Sequence, residues 1–360
     1  CELGRRAGLG GVKEEGMELS DPSVIRKLIT PGVELSEIPR SLQWVVVSLS
    51  LYYWGVPLSR LGVWLRVHKT TVLRWMLGLV LLLWPTVSFW IGERVRLGVV
   101  YIDEKWIKIR GSWHYWFVAI DSKSEIPVCQ ILAKSRSKWV CRWIGICLSR
   151  LRGNLRAICT DGLSGYRKTA LQLGVRHLLC HFHYQRGVIS WLKEHFSTEQ
   201  AIDERKGKMK EILQTKDKRT VKRRLEKLSQ SAKQLAIEPW VDQMRASLCY
   251  LLPSVGSRIL PTTTNAIERF FRIFNRFYKV RCGFHSFSSA KRELLLFLLV
   301  YMFTTRQKDG LAPIESIVPE ASRMPLYRLI NDPFLVLAGG LDVKLGATVA
   351  DKTSANLLAA

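Results

Sequence analysis

Three carboxylates in the sequence have the spacing and surroundings to hold a divalent cation together. Asp103 follows the nearly continuous apolar run at residues 97–102, and Asp161 ends the short apolar run LRAICTD. Glu268 is the one acid in TTNAIERFFRIFNRFYKVRCGF, whose aromatic residues recur at helical spacing. A buried acid is costly unless it is paired or bound to a cation. Two strand acids and one helix acid that converge would suit hard cations, which prefer oxygen ligands.

Each of these acids also has an ordinary structural explanation. Asp103 can cap its strand or turn toward a neighbouring lysine, and Asp161 precedes a glycine, which is first of all a turn signal. Asn265-x-x-Glu268 matches a helix capping box, and Glu268 with Arg272 matches an i,i+4 ion pair. Taken alone, each acid favours the structural explanation. The metal hypothesis therefore depends on the set and its order.

Two bound ions could activate a water or hydroxyl and stabilise the leaving oxygen of a phosphodiester. Two rival ligands, Glu104 beside Asp103 and Asp121 at the end of the next strand, rank below the chosen three. The basic residues that surround Glu268 could clamp a phosphate backbone. They are Arg269, Arg272, Arg276 and Lys279.

The charge balance points to a polyanionic partner. The 360 residues include 55 Lys and Arg against 30 Asp and Glu, which gives a net charge of +25. Neutralising phosphates releases counterions, so such an excess favours nucleic acid, although charge alone does not separate DNA from RNA or an anionic membrane.

Eight cysteines without a C-x-x-C pair indicate neither a disulfide framework nor a four-thiolate zinc site, and a reduced, cytosolic setting follows.

Two uncharged stretches are about as long as a bilayer is thick. Residues 41–59 and 75–92 lack charges, but Pro57 and Pro85 interrupt them and both are rich in Trp, Ser and Thr. Buried helices of a globular domain explain the same pattern. We therefore expect no membrane partner.

Residues 57–79 predict a helix, a short turn and a second helix. We expect the two helices to pack through Leu58, Leu61, Val63, Trp64, Val72, Leu73 and Met76. The second helix would present basic and hydroxyl side chains near its amino end, where a recognition helix contacts DNA. These are His68, Lys69, Thr70, Thr71 and Arg74. An ordinary helical hairpin is the alternative.

From residue 95 the hydrophobic period changes to that of strands. Three antiparallel strands are predicted first, with a hairpin turn at Gly111-Ser112. After them we expect a helix at 137–151, the strand that ends at Asp161 and a helix at 165–173. The segment VRHLLCHFH is then predicted as a strand that passes into a helix. A mixed α/β fold follows.

The sequence divides into four predicted regions. They are a poorly ordered lead-in at 1–37, a helix-turn-helix region at 38–92, a catalytic domain at 95–305 and a tail at 306–360. Met17, within the lead-in, could be the true start. The catalytic domain contains a basic all-helical insertion at 197–250.

Four Cys and His residues invite a zinc interpretation. They are His177, Cys180, His181 and His183. A single C-x-x-H pair is not enough for zinc without a second pair, and the other cysteines do not supply one. A packed strand-to-helix junction is the preferred interpretation.

The order of several motifs resembles a known family. YIDE, CTDG, the C-x-x-H of CHFH, a helical insertion, TTNAIERFF and RCGF are similar to the Mutator-like DDE transposases and their bacterial and archaeal insertion-sequence relatives. The resemblance covers roughly residues 95–305. Asp161 follows Asp103 by 58 residues, and Glu268 follows Asp161 by 107. The long second interval disfavours the compact retroviral-integrase type and fits members with a helical insertion.

The resemblance implies an RNase H-like core with Asp103, Asp161 and Glu268 as its metal-binding triad. It also implies two Mg²⁺ or Mn²⁺ ions, and a supporting place for the C-x-x-H pair, Cys180 and His183, to which we add Asn265. Double-stranded DNA, as element ends and target, is the implied partner. We expect a homo-oligomer on DNA, at the nucleoid in a prokaryotic cytoplasm. The family's N-terminal zinc finger is not visible here.

Two other functions stay open at this point. The protein could be an RNase H-like nuclease or resolvase that cuts DNA without joining it. It could also be a catalytically inactive, transposase-derived DNA-binding protein, since disabled copies of such elements are common.

Overall fold

The computed structural model describes residues 21–151, 153–334 and 336. The predicted start at Met17, most of the predicted lead-in and the end of the predicted tail therefore lie outside the described residues. The described part begins with the short helix α1 (Pro22–Lys27).

A five-stranded mixed sheet forms the centre of the fold. Its strands are β1 (Leu97–Ile109), β2 (Ser112–Asp121), β3 (Pro127–Ala133), β4 (Gly153–Thr160) and β5 (Arg176–Leu179). They lie in the order β3-β2-β1-β4-β5, with β1 to β3 antiparallel and β4 and β5 parallel to β1. The predicted mixed α/β, RNase H-like fold is confirmed.

The turn between β1 and β2 lies one residue earlier than predicted. Arg110 and Gly111 both have positive φ, of 50° and 79°, and Ile109 pairs directly with Ser112. Two positive φ angles give the turn a twist that matches the right-handed twist of the flanking strands. Ser112 is therefore the first residue of β2 and not part of the turn.

Helices cover both faces of the sheet. Within the described residues they are α5 (Lys138–Ser149), α6 (Ser164–Gln172), α7 (His181–His195), α11 (Asn265–Lys279) and α12 (Phe287–Phe303). Trp116 of β2 is fully buried against Phe270 and Phe274 of α11 and Phe297 of α12. This aromatic group fixes α11 to the sheet.

The helical region before the sheet consists of α2 (Arg40–Tyr53), α3 (Leu58–Leu65) and α4 (Lys69–Arg94). It shares one apolar core with the sheet and α12, as shown by the stacking of Tyr53 on Phe297 at 5.4 Å between ring centroids. Leu61, Val72 and Met76 are buried as predicted. The expectation for Val63 and Trp64 is wrong: they are 71% and 57% exposed. They lie on the face of α3 that turns away from α4.

The helix α4 is longer and more apolar than the predicted second helix. Among the described residues it is the one helix long and apolar enough to cross a bilayer, and 39% of its most apolar window is buried inside the fold. Pro85 lies within it without ending it.

The predicted helical insertion forms a separate apolar cluster. Its helices are α8 (Glu199–Leu213), α9 (Lys218–Gln230) and α10 (Glu238–Leu251). They bury Met209, Val221 and Met244 together with Val188 and Leu192 of α7. The basic residues lie outside this cluster, as the amphipathic pattern of the segment requires.

Residues 305–334 hold more structure than their sequence indicated. Two 3₁₀ helices, Pro313–Ser316 and Pro319–Arg323, precede α13 (Pro325–Asn331). Ile314, Leu326 and Leu329 are buried in the main core. Short helices without periodicity are stabilised by this packing and not by propensity.

The burial of Trp116 predicts a large loss of stability on truncation. Trp116→Ala removes a fully buried ring and leaves a cavity, so we expect a loss of about 3–5 kcal/mol in the free energy of unfolding. Trp113→Ala on the same strand is the matched control, because Trp113 is 52% exposed, and should cost under about 1 kcal/mol. Urea unfolding of both variants would measure the difference, and equal losses would contradict the packing described above.

Candidate metal centre and nucleic-acid surface

The sheet brings two of the predicted acids together, because Asp103 in the middle of β1 lies beside the carboxyl end of the parallel strand β4. β1 pairs with β4 through Tyr101 and Cys159, so two places further along Asp103 lies beside Asp161. Carboxylate oxygens of Asp103, Glu104 and Asp161 lie within 4.8 Å of one another. We call these three residues the acidic cluster. Its donors are all oxygen atoms, which hard divalent cations prefer.

Glu104 belongs to this cluster, although the sequence ranked it as a lesser rival. The Tyr166 hydroxyl of α6 donates a hydrogen bond of 3.2 Å to Glu104, and Arg136 forms an ion pair with it. The other rival, Asp121, lies elsewhere and accepts bonds of 2.8 Å from the backbone N–H and the hydroxyl of Ser124. Asp121 therefore stabilises the turn after β2.

The acidic cluster is strongly perturbed by its own charge. Burial, together with repulsion from Asp161 and Glu104, raises the pKa of Asp103 to about 7. Burial and Asp161 also raise the pKa of Glu104, against the lowering effect of Arg136. The Arg136 guanidinium lies 3.5 Å from an Asp161 oxygen as well. Arg136 thus offsets the charge of only two of the three acids, and a divalent ion would relieve the remaining repulsion.

Asp161 forms the turn that its sequence indicated and also lies in the acidic cluster. One of its oxygens accepts a hydrogen bond of 3.2 Å from the backbone N–H of Leu163, and Gly162 between them has a φ of +106°. The other oxygen faces Arg136. The turn holds the carboxylate in place at the end of β4.

Glu268 lies in a second group of candidate ligands. Donor atoms of Cys180, His183 and Glu268 lie within 4.8 Å of one another. We call these three residues the mixed cluster. Cys180 precedes α7, His183 lies in its first turn, and Glu268 lies in the first turn of α11.

Neither structural alternative for Glu268 is realised. The N-cap of α11 is Thr264, with no side-chain capping bond, and Asn265 is an exposed first residue. The Glu268 side chain instead accepts a hydrogen bond of 3.3 Å from the Thr264 hydroxyl. Within the described residues no ion pair joins Glu268 to Arg272. The carboxylate is therefore not held back by a capping box.

His183 connects the two clusters electrostatically. Its hydrogen bond with Cys180 raises the pKa of His183 to about 9, and the charges of Asp103 and Glu268 add to this effect. Burial alone would raise the pKa of the Cys180 thiol, but hydrogen bonds from His183 and Thr264 lower it overall. Glu268 thus groups directly with Cys180 and His183, and both clusters interact with the same imidazole.

The two other histidines of the strand-to-helix junction have ordinary partners. His177 lies 2.9 Å from the Thr160 hydroxyl, and His181 lies 3.1 Å from the Leu251 carbonyl and 3.0 Å from the Ser254 hydroxyl. Burial lowers the pKa of both rings. They are packed core histidines, as the sequence interpretation preferred.

With this geometry established, one comparison with known proteins is informative. Residues 98–236 match the family model DDE_Tnp_IS240, which is described as a DDE domain. The match supports a DDE transposase. The matched stretch includes Asp103 and Asp161, whereas Glu268 lies beyond it. No curated protein matches the chain.

The basic residues that flank Glu268 on α11 differ in availability. Arg272, Arg276 and Lys279 are exposed on α11. Arg269 is also on the surface, but its guanidinium forms an ion pair of 2.7 Å with the buried Glu125. Lys308 and Arg306 pair with the same acid. Arg269 therefore has a structural partner that the sequence did not reveal.

The amino end of α4 presents the predicted recognition residues. His68, Lys69, Thr70 and Arg74 are exposed, and Thr71 is half-buried. His68 caps the helix, because its ring nitrogen accepts from the Thr70 backbone N–H at 3.4 Å and lies 2.8 Å from the Thr70 hydroxyl. The cap occupies one imidazole nitrogen, and Lys69 and Arg74 are exposed cations of this surface.

The raised pKa of Asp103 predicts a pH-dependent stability. Since the pKa is about 7 in the fold against 3.8 for the free side chain, the folded state binds the proton more tightly. This stabilisation is fully present below pH 3.8 and is lost as the pH rises through about 7. Asp103→Asn should therefore melt at a higher temperature than the parent at about pH 8, without divalent ions, and show no gain at about pH 4.

The exposed Asp242→Asn serves as the control for this measurement and should leave the pH profile unchanged. Thermal unfolding with a chelator present would be followed for both variants. An Asp103→Asn protein no more stable than the parent at the higher pH would contradict the repulsion inferred within the acidic cluster.

Proposed function

We propose that this chain is a DNA transposase that cuts DNA at element ends and joins the freed 3′-hydroxyl to target DNA. The observation that carries the proposal is the meeting of Asp103, within β1, and Asp161, at the end of the adjacent β4, in an RNase H-like sheet. This meeting lies within the stretch that matches a DDE domain. Both reactions would use the same site.

The acidic cluster fits Mg²⁺ or Mn²⁺, because it offers only oxygen donors and carries unrelieved negative charge. We propose Asp103 and Asp161 as metal ligands, with Glu268 as the third member of the triad and two ions in the site. When bound, the metal would activate a water or hydroxyl and stabilise the leaving oxygen. Arg136 offsets part of the charge of Glu104 and Asp161.

A more specific Mutator-like placement is part of the same proposal. The helices α8, α9 and α10 lie between Asp161 and Glu268, as in family members with an insertion. The C-x-x-H pair lies beside Glu268 in the mixed cluster. These features support the placement, together with the motif order, and give Cys180 and His183 a supporting role.

The proposed partner is double-stranded DNA, as element ends and as target. The net charge of +25 and the exposed cations of α4 and α11 support it. We further propose a homo-oligomer, a dimer or higher, that acts at the nucleoid. Light scattering with and without DNA would give the stoichiometry.

Loss of any triad carboxylate should abolish cleavage. Asp103→Ala, Asp161→Ala and Glu268→Ala each remove an oxygen ligand, so we expect no Mg²⁺-dependent cutting of element-end DNA while folding and DNA binding persist. Gel analysis of a labelled substrate measures the product. Asp121→Ala is the matched control, because Asp121 lies outside both clusters and should retain cleavage, provided that the protein folds.

The same assay separates the proposal from its rivals. Joined products with target DNA support a transposase. Cut but unjoined DNA would indicate a nuclease or resolvase, and DNA binding without any metal-dependent cleavage would indicate a catalytically inactive DNA-binding protein. Normal strand transfer by any one variant would remove that residue from the triad.

The helix-turn-helix hypothesis predicts a change in the salt dependence of DNA binding. Arg74→Ala should weaken binding and reduce the slope of log K against log salt by about 1, since one phosphate contact is lost. Arg74→Lys keeps the charge and should keep the slope. Fluorescence anisotropy over a range of salt measures both. Equal slopes in all three proteins would place Arg74 away from DNA.

A further inference from the structure

Four side-chain donors meet around one point at the start of α7 and α11. The Thr264 hydroxyl lies 3.2 Å from the Cys180 sulfur, 3.4 Å from His183 Nδ1 and 3.3 Å from a Glu268 oxygen. The donor atoms of those three residues also lie within 4.8 Å of one another. Cys180 and Thr264 are each 1% exposed. The sulfur, nitrogen and two oxygens thus form one compact group.

These separations agree with the edges of a tetrahedral zinc site. Zinc binds sulfur at about 2.3 Å and nitrogen or oxygen at about 2.0–2.2 Å, so neighbouring ligands in a tetrahedron lie about 3.3–3.7 Å apart. The three distances from the Thr264 hydroxyl are close to this range. A donor set that contains thiolate and imidazole favours zinc-class ions over Mg²⁺.

Backbone hydrogen bonds hold the two segments that carry these donors. The Cys180 N–H donates to the Thr160 carbonyl of β4 at 2.9 Å, and the His181 N–H donates to the Thr262 carbonyl at 2.8 Å. The first bond fixes the C-x-x-H segment to the sheet, and the second fixes it to the chain that leads into α11. The donors are therefore positioned without any ion.

We propose that Cys180, His183 and Glu268, with the Thr264 hydroxyl as a fourth donor, bind a thiophilic divalent cation such as Zn²⁺. The third protein ligand is a carboxylate 85 residues after His183, counted from 183 to 268. It is not the second Cys/His pair that zinc motifs usually supply. The site therefore has no continuous sequence motif.

One consequence concerns activity and depends on the transposase proposal. Glu268 belongs both to this mixed cluster and to the proposed triad, so an ion held by Cys180 and His183 would keep the carboxylate from binding a metal ion in the acidic cluster. Zn²⁺ should then inhibit Mg²⁺-dependent cleavage. Zn²⁺ binding itself needs no catalytic activity, so the two proposals can fail separately.

Cobalt is the probe, because Co²⁺ replaces Zn²⁺ and reports its ligands by absorption. Titration of the purified full chain with Co²⁺ should produce a sulfur-to-cobalt charge-transfer band and the intense visible bands of tetrahedral cobalt. Cys180→Ser should abolish the charge-transfer band. His183→Ala and Glu268→Gln should each weaken Co²⁺ binding at least about tenfold. Cys249→Ser, at an exposed thiol, and Asp161→Asn, in the acidic cluster, should leave the band unchanged.

Three results would overturn the inference: a parent protein without a charge-transfer band, a band that survives in Cys180→Ser, or unchanged Co²⁺ affinity in Glu268→Gln. Circular dichroism would check that each variant is folded. If Cys180→Ser does not fold, the near-isosteric Glu268→Gln and Thr264→Val still test the carboxylate and the fourth donor. Zn²⁺ bound with this ligand set but without inhibition would retain the metal site and count against Glu268 as a member of the triad.

Discussion

The mutual repulsion of three acids, where the middle of β1 lies beside the end of β4, is the constraint around which the site is built. Asp103 and Glu104 are partly buried and face Asp161, and Arg136 pairs with Glu104 and Asp161 but not with Asp103. Separating or exposing these acids would make the fold more stable. The sheet keeps them together because β1 is paired on both sides, by β2 and β4, and is not free to shift. Such stored repulsion is typical of a site that a ligand completes.

The parts of this arrangement that could be predicted are those with a local signal. Apolar runs predicted β1 to β5, and an acid directly after each of two apolar runs predicted that Asp103 and Asp161 could meet, as they do in the acidic cluster. The role of Glu104 was harder to see, since successive side chains of a strand point to opposite faces. Asp161 follows the last paired residue of β4, so its side chain is not fixed to one face of the sheet. Glu104 reaches Asp161 because the Tyr166 hydroxyl and the Arg136 guanidinium bind its carboxylate on that side.

Other features could not be predicted because they depend on contacts between distant segments. The grouping of Glu268 with Cys180 and His183 arises only when α11 packs beside α7. The pairing of Arg269 with Glu125 joins residues 144 positions apart, so the sequence showed only an exposed cation. Residues 313–331 have no periodicity of their own, and their helices form because Ile314 and Leu329 enter a core built elsewhere.

The position of Glu268 is set by the sheet and not by the helices that precede it in the chain. α8 to α10 bury their apolar side chains in a cluster of their own. α11, in contrast, is fixed by Phe270 and Phe274 against Trp116 of β2. Glu268 lies within one turn of Phe270 and within two turns of Phe274, on the side of α11 that reaches Cys180.

It follows that the insertion could change in length or sequence without moving the carboxylate, provided that its ends still meet α7 and α11. The bond from the His181 N–H to the Thr262 carbonyl joins the start of α7 to the segment that leads into α11. A long interval between the second and third acids is therefore compatible with a well-defined site. The packing of Phe270 and Phe274 on Trp116 fixes the position of Glu268, so the site itself does not constrain the length of the insertion.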